Sequence, residues 1–266
     1  MPELPEIETI VRRLRDPCVN RTIVRVRIRW PRHVDRPSPS CFRHKIKGQR
    51  IQSLKRRGKY LVFSLSSYTL LIHLRMSGDL ALVQHNEQLH KHEHTVICFD
   101  NNFDLRFSDA RKFGRVYLVE QPEDILSKLG PEPLDNDFTA NDFAQRLSGK
   151  RRSIKPLLLD QAFLAGVGNI YADEALHLAR IHPVQRSDML SRDEMCRLWR
   201  SLRRVLRDGI RHNGSSIDWI YRGGTHQNYL RVYQRTGDPC PTCDGSIHKI
   251  TVSQRGTHYC PRCQEY

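Results

Sequence analysis

Two sets of side chains in this 266-residue sequence have the types and spacing of working chemistry. The first is Cys240-Pro241-Thr242-Cys243, followed after 16 residues by Cys260-Pro261-Arg262-Cys263. Two residues between thiolates let one tight turn offer both sulfurs to a single metal. Four thiolates fill a tetrahedral Zn²⁺ and leave no open position, so one structural zinc is expected. Two disulfides are the alternative, and nothing in the sequence points to an oxidising compartment. The stretch between reads as a hairpin. Ile247, Ile250 and Val252 are strand-like, Ser253-Gln254-Arg255-Gly256 is the turn, and Thr257-His258-Tyr259 returns. Cys18, Cys41, Cys98 and Cys196 lack ligand spacing and read as small hydrophobes.

The second set is Pro2, Glu3 and Glu6. Removal of Met1 would leave Pro2 as a secondary amine. An α-amine titrates near pKa ~8, so an appreciable fraction is an uncharged nucleophile at neutral pH. Its attack on an aldehyde-level carbon gives an iminium ion, an electron sink for elimination. Glu3 is covalently adjacent and Glu6 lies one helical turn on, so two carboxylates can divide acid and orienting roles. Taken alone, the segment reads more simply as a Pro/Glu-rich helix start.

Elements must hold these groups in place. Ile7, Ile10, Val11 and Leu14 follow the i, i+3, i+4, i+7 pattern of a helix with one buried face. Residues 22–30 alternate, with Val24, Val26, Ile28 and Trp30 expected inside and Arg25, Arg27 and Arg29 outside. Further strand signals lie at Lys59–Leu65, Thr69–Leu74, Leu80–Val83, Thr95–Asp100, Phe103–Phe107 and Arg115–Val119, a β-sandwich or barrel pattern. Around Gly130-Pro131-Glu132-Pro133 the texture changes to helical stretches near 139–147, 153–160, 169–179, 191–211 and 216–220. Ala165-Gly166-Val167-Gly168-Asn169 forms a Gly-rich turn between two of them, with Asn169 placed to cap the second. Free N–H groups at such a terminus suit a phosphate.

Lys plus Arg number 44 against 29 Asp plus Glu, a net charge of +15 and a pI near 9.8. Residues 1–60 hold 17 basic side chains against 5 acidic ones, and residues 180–235 hold 12 against 5. Two separated basic regions suit a clamp on a polyanion, with nucleic acid the leading partner. No apolar run is long enough for a transmembrane helix, and the acidic start has no signal-peptide core. A soluble intracellular protein with no membrane partner is expected.

The chain closely resembles the formamidopyrimidine-DNA glycosylase family (Fpg, also called MutM), within the wider Fpg/Nei group. The resemblance is carried in order by Met1-Pro2-Glu3-Leu4-Pro5-Glu6, Arg57-Gly58-Lys59-Tyr60-Leu61, His73-Leu74-Arg75-Met76-Ser77-Gly78 and Lys91-His92-Glu93-His94. It continues through Asp109-Ala110-Arg111-Lys112-Phe113-Gly114, Leu129–Leu134, Ile154-Lys155-Pro156, Gly166–Ala172 and Gln254-Arg255 with Thr257. It implies an α+β protein in three parts. Residues 1–130 would be a catalytic helix plus β-sandwich, 131–235 a helical domain with a helix-two-turn-helix element, and 236–266 a zinc-finger hairpin.

By the same resemblance Pro2 is the Schiff-base nucleophile, Glu3 the acid and Glu6 its support. Lys59 aids base removal and β-elimination, and Arg255 grips phosphate for δ-elimination. Met76, Arg111 and Phe113 match the residues that fill the gap left by an everted nucleotide. His92, Lys112, Lys150, Lys155 and Asn169 match DNA-backbone contacts. His92 and His94 could alternatively share a metal, although no third ligand suggests itself. The implied activity is a bifunctional glycosylase/AP lyase for oxidised purines in duplex DNA, acting as a monomer in the cytoplasm, at the nucleoid in a bacterium.

The sequence departs from the family pattern in three places. The lid segment 215–227 looks a few residues short, which shifts the expected preference towards formamidopyrimidines over 8-oxoguanine. Gln234 stands where Gly is common, and Lys112 where a second Arg is frequent. The alternatives are a Nei-type enzyme for oxidised pyrimidines and a non-catalytic zinc-finger lesion binder. Leu4 and the Met76/Arg111/Phe113 set oppose the first; Pro2, Glu3 and Lys59 together oppose the second.

Overall fold

A computed structural model describes residues 1–217 and 223–266. In chain order the elements are α1 (Leu4–Cys18), β1 (Ile23–Ile28), β2 (Val34–Arg36), α2 (Pro39–Ile46), β3 (Ile51–Arg57), β4 (Tyr60–Leu65), β5 (Thr69–His73), β6 (Gly78–Gln84), β7 (Glu93–Phe99), β8 (Phe103–Asp109) and β9 (Arg115–Val119). There follow α3 (Glu123–Leu126), α4 (Ala140–Leu147), α5 (Ile154–Leu159), α6 (Asn169–Ala179), α7 (Arg192–Arg211), β10 (His248–Val252) and β11 (Arg255–Tyr259). The α+β expectation, with strands first and helices and hairpin after, matches this order.

The chain divides into two compact units, Met1–Ser127 with Ser216, Ile217 and Gly223, and Lys128–Ser215 with Gly224–Tyr266. In the first, a four-stranded sheet (β1-β7-β8-β6) and a five-stranded sheet (β2-β9-β5-β4-β3) share one core with α1. Ile7, Ile10, Val11 and Leu14 of α1 are all buried in it, as the helical spacing requires. Polar bonds also seat the helix. Arg15 donates to the Leu54 carbonyl of β3 at 3.1 Å, Arg13 to Leu80 of β6 at 2.6 Å, and Arg56 of β3 to Glu8 at 3.2 Å.

Several features differ from the sequence reading, the short β2 and α3 among them. Strand β3 and helix α2 emerge where no element is expected. Ile51-Gln52-Ser53-Leu54-Lys55-Arg56-Arg57 buries only Ile51 and Leu54, so its polar majority hides a strand. Helix α2 has Pro39 in its first turn and Ser38 accepting from the Cys41 N–H. In β1 the register shifts between Ile23 and Arg25 against β7. That bulge breaks the alternation: Ile23 and Val26 face the core, while Val24 is 43% exposed.

In the second unit α7 packs against both α4 and α6, with Phe143 stacked on Trp199 at 5.3 Å and Phe138 edge-on to it at 5.1 Å. Gln234 adopts φ 58°, a left-handed conformation that glycine takes at least cost, which accounts for Gly being common there.

The bulge makes a checkable distinction. Val24→Thr should change stability by less than about 0.5 kcal/mol, as for a surface site. Val26→Thr should cost about 1–3 kcal/mol, because it buries a hydroxyl. Denaturant midpoints of the two variants decide it; equal losses would restore plain alternation.

Candidate functional site

In the first unit, Pro2, Glu3 and Glu6 are all buried at the start of α1. The Glu3 N–H donates to Glu6 Oε2 at 2.8 Å, which ties the two acids into the first turn. With Met1 in place the Pro2 nitrogen is an amide; it becomes an amine only when Met1 is cleaved. Helix α1 lies against β3 and β4, which are joined by the two-residue turn Gly58-Lys59. Gly58 has φ 56°, suited to the first position of such a turn. Arg56 spans the join, donating to Glu8 of α1 and, at 3.4 Å, to the Gly58 carbonyl. The turn carrying Lys59, itself 4% exposed, is thus referenced to the helix carrying residues 2–6.

Beside it, His73 is kept neutral. Burial pushes its pKa down to about 3, helped by the nearby Arg75 and Lys59 charges. Its Nδ1 accepts the Arg75 N–H at 3.0 Å, which fits a neutral ring.

Met76 and Phe113 stand out as large apolar side chains that are 38% and 46% exposed. Met76 lies between β5 and β6, and Phe113 between β8 and β9. The Arg111 guanidinium sits 4.9 Å from the centre of the Phe113 ring. Lys112 is also exposed, with Nζ 4.3 Å from the Trp30 ring. His92 is half-buried. The structure therefore presents Met76, Arg111, Lys112 and Phe113 on neighbouring loops of one unit.

In the second unit the four cysteines converge. Zn–S bonds of about 2.3 Å in a tetrahedron place sulfurs about 3.8 Å apart. Cys240 and Cys263 are 3.8 Å apart, Cys243 and Cys260 3.4 Å, and all four sulfurs lie within 4.8 Å. These separations fit one zinc and exclude the disulfide alternative. His177 Nε2 lies 3.2 Å from Cys240 Sγ, and the Thr242 N–H donates to it at 3.4 Å.

Arg255 is exposed, but not where the turn was expected. Ser253 and Gln254 alone form the turn, both left-handed at φ 46° and 62°. Arg255 opens β11, paired with Val252. Two-residue turns with both φ positive match the twist of the flanking strands, so the reversal is tighter than four residues.

Lys155 also differs from expectation. It is fully buried, with Nζ 2.6 Å from Asp173 Oδ1 and donating to Thr257 Oγ1 at 2.7 Å and to the Gly256 carbonyl at 3.1 Å. Its charge is held inside the protein, so a direct phosphate contact does not fit its position. Asn169 does not cap α6 either. Gly168 occupies that place, and the Asn169 amide donates to the Gly256 carbonyl at 3.0 Å. Lys150 is exposed.

The residues that fasten this hairpin and the segment leading into it include two the sequence reading passed over. Asp173 accepts the His258 N–H at 2.9 Å. Glu174 accepts the N–H groups of Arg231, Val232 and Tyr233 at 2.8, 2.9 and 2.9 Å. The available signal was two adjacent acids in an otherwise apolar helix, Asn169-Ile170-Tyr171-Ala172-Asp173-Glu174-Ala175-Leu176.

A second three-donor group, His85, Cys98 and Asp104, is bonded internally. His85 meets Asp104 at 2.9 Å and Arg25 at 3.3 Å, and Arg106 lies 3.6 Å from Asp104. The expected short helix at 216–220 and the centre of the lid segment fall on residues 218–222, outside the described residues.

Comparison with known proteins finds three matching domains along the chain. The formamidopyrimidine-DNA glycosylase N-terminal domain matches residues 1–116, its H2TH domain residues 129–220, and the zinc finger found in FPG and IleRS residues 237–265. The formamidopyrimidine-DNA glycosylase of Herpetosiphon aurantiacus is 47% identical over 272 residues, spanning 99% of this chain and 100% of that protein. Lactococcus lactis Fpg in complex with abasic-site DNA is 37% identical, with TM-score 0.94 over 99% of this chain and 100% of that one. The same protein bound to Fapy-dG DNA gives 38% and 0.93, at 99% and 100% coverage.

Removing one partner of a buried ion pair typically costs about 3–5 kcal/mol. Lys155→Met should therefore destabilise the second unit by that order and speed zinc release to a colorimetric chelator. Unchanged denaturant stability with unchanged release would show that Lys155 does not support the hairpin. Metal analysis of the purified wild type should find one zinc per chain.

Proposed function

Because this chain belongs to the formamidopyrimidine-DNA glycosylase family, we propose that it excises oxidised purines from duplex DNA and then cleaves the strand by β,δ-elimination. It is a DNA glycosylase of base excision repair with a structural zinc finger. The observation that carries the finer reading is the framework around residues 2–6. A buried helix start bears Pro2, Glu3 and Glu6, and Arg56 bonds both α1 and the turn bearing Lys59.

In this reading Met1 is removed and the Pro2 amine attacks C1′ of the damaged nucleotide. The N-glycosidic bond breaks, its electron pair leaves with the base, and a proton from an acid such as Glu3 neutralises it. The Pro2 nitrogen then sheds its proton to Glu3, which passes it to O4′ as the C1′–O4′ bond of the sugar opens, and the iminium ion so formed acidifies the adjacent carbon. Loss of that proton expels the first phosphate, and a second elimination expels the other. Lys59 assists the first steps, and Arg255 offers its guanidinium to departing phosphate. Glu6 orients Glu3 through the bond to its N–H.

Met76, Arg111 and Phe113 enter the space vacated by the everted nucleotide, with Arg111 facing the orphaned cytosine. His92, Lys112, Lys150 and Asn169 contact the DNA backbone. Lys155 acts indirectly, by holding the strand that carries Arg255. The functional division is 1–130 for chemistry and wedge, 131–235 for DNA binding, and 236–266 for the zinc hairpin. No helix among the described residues is long and apolar enough to cross a membrane. A monomer acting at the nucleoid or in the cytoplasm completes the proposal.

Borohydride trapping on an abasic or lesion-containing duplex should yield a covalent adduct at residue 2 of Met-processed protein. Pro2→Gly or a blocked N-terminus should cripple base removal and strand cleavage together. Glu3→Gln should lower base removal about 10²-fold. No adduct and no cleavage from the processed wild type would end the enzyme reading. Excision rates on formamidopyrimidine, 8-oxoguanine and oxidised pyrimidine, each opposite cytosine and adenine, separate it from a pyrimidine-specific enzyme. Affinity should fall with salt as phosphate contacts release counterions.

A further inference from the structure

The two loops that expose Met76 and Phe113 share one buried acid. Asp109 ends β8 and is fully buried. Its Oδ1 accepts the Ser77 hydroxyl and, at 3.2 Å, the Arg111 N–H. Its Oδ2 accepts the Gly114 N–H at 2.6 Å. Ser77 Oγ in turn accepts the Arg111 N–H at 3.1 Å, and the Lys112 N–H donates to the Asp109 carbonyl at 3.3 Å. One carboxylate thereby touches the residue after Met76, the residue after Phe113, and Arg111 itself.

The surroundings leave little freedom. His33 Nε2 lies 4.0 Å from Oδ2. Burial pushes the His33 pKa down to about 4, so the ring is neutral near pH 7 and the carboxylate is met by N–H and O–H donors instead. At Gly114 a Cβ would fall 2.5 Å from the Phe107 ring and 3.0 Å from both Asp109 Oδ2 and His33 Nε2. The β6/β8 register places Gly78 opposite Asp109, so both loops leave the sheet side by side. Arg75 and Lys112 adopt left-handed φ values of 56° and 60°, conformations that need outside support.

We propose that Asp109 is a positioning residue that couples the two loops, so that Met76, Arg111 and Phe113 enter DNA as one preorganised wedge. The proposal rests on the glycosylase reading above. Opening a base stack costs a few kcal/mol. Three side chains on independently mobile loops would add the entropy of ordering each loop at that moment. The shared carboxylate fixes both loops before DNA arrives.

The test uses full-length, zinc-loaded protein with Asp109→Asn and, as a milder cut of the cross-loop bond, Ser77→Ala. Asn replaces one of the two acceptor oxygens with a donor. Single-turnover excision from a lesion duplex should fall about tenfold, the scale of one buried charged hydrogen bond. The fluorescence rise of a 2-aminopurine beside the lesion should fall with it. Borohydride trapping on a single-stranded abasic oligonucleotide, which has no stack to open, should stay within about twofold of wild type. Arg111→Ala should cost far less in the Asp109→Asn background than alone, because coupled residues are not additive. Additive losses, wild-type excision by both variants, or parallel loss of single-strand trapping would each overturn the proposal. Absence of trapping by the wild type would instead overturn the glycosylase reading.

Discussion

The nucleophile proposed at Pro2 is the chain end itself once Met1 is removed; it is useful only if that end is held still, and chain ends are ordinarily where order fails first. Burial of the apolar face of α1 answers this constraint. Leu4, Ile7, Ile10, Val11 and Leu14 are each at most 1% exposed, so residues 2–6 are carried by a helix that cannot fray without opening the core. The sandwich is the foundation for that helix. Its β3–β4 turn supplies Lys59, and its β5–β6 and β8–β9 connections supply Met76, Arg111 and Phe113. The same packing that gives the first unit its stability therefore sets the reference frame for the proposed chemistry.

Each unit uses buried acids to discipline its working segment. Asp173 and Glu174 on α6 hold the hairpin and the segment leading into it, with Lys155 neutralising part of that charge. Asp109 holds the β5–β6 and β8–β9 connections through donors alone. In both places a carboxylate with several lone pairs gathers backbone N–H groups that no regular ladder satisfies. The four cysteines gather at the base of the hairpin, while Lys155 of α5 and Asn169 of α6 hold its far end.

Much of this was legible in the residues. The 3.6-residue period of α1, the strand runs from Tyr60 to Val119 and the doubled C-x2-C need only local pattern, and each reappears in the structure. What escaped depends on pairing partners rather than on the segment's own pattern. The bulge at Val24 exists because of the register with β7, 70 or so residues on. Strand β3 carries too few apolar residues to announce itself, and its pairing with β4 makes it a strand. Lys155 looks like a surface cation until Asp173 and the hairpin close over it. The turn expected over Ser253–Gly256 is there, but its narrowing to Ser253-Gln254 follows from the pairing of Val252 with Arg255.

Arginine supplies 34 of the 44 basic side chains, and many point inward to carbonyl oxygens. Arg106, 2% exposed, binds the carbonyls of Gln84, Glu87 and Gln88 and closes the β6–β7 connection. Arg197 reaches Ala179, and Arg203 reaches Pro133 and Asp135. A guanidinium bonded to carbonyls keeps its charge, so these residues are cross-links and field sources at once. For anyone re-engineering this scaffold, net charge and rigidity are not separate dials. Lysine replacements would keep the sign and lose the fork, and neutral ones would lose both. Lowering the charge to curb promiscuous adhesion is best begun at solvated positions such as Arg151, whose side chain is 84% exposed.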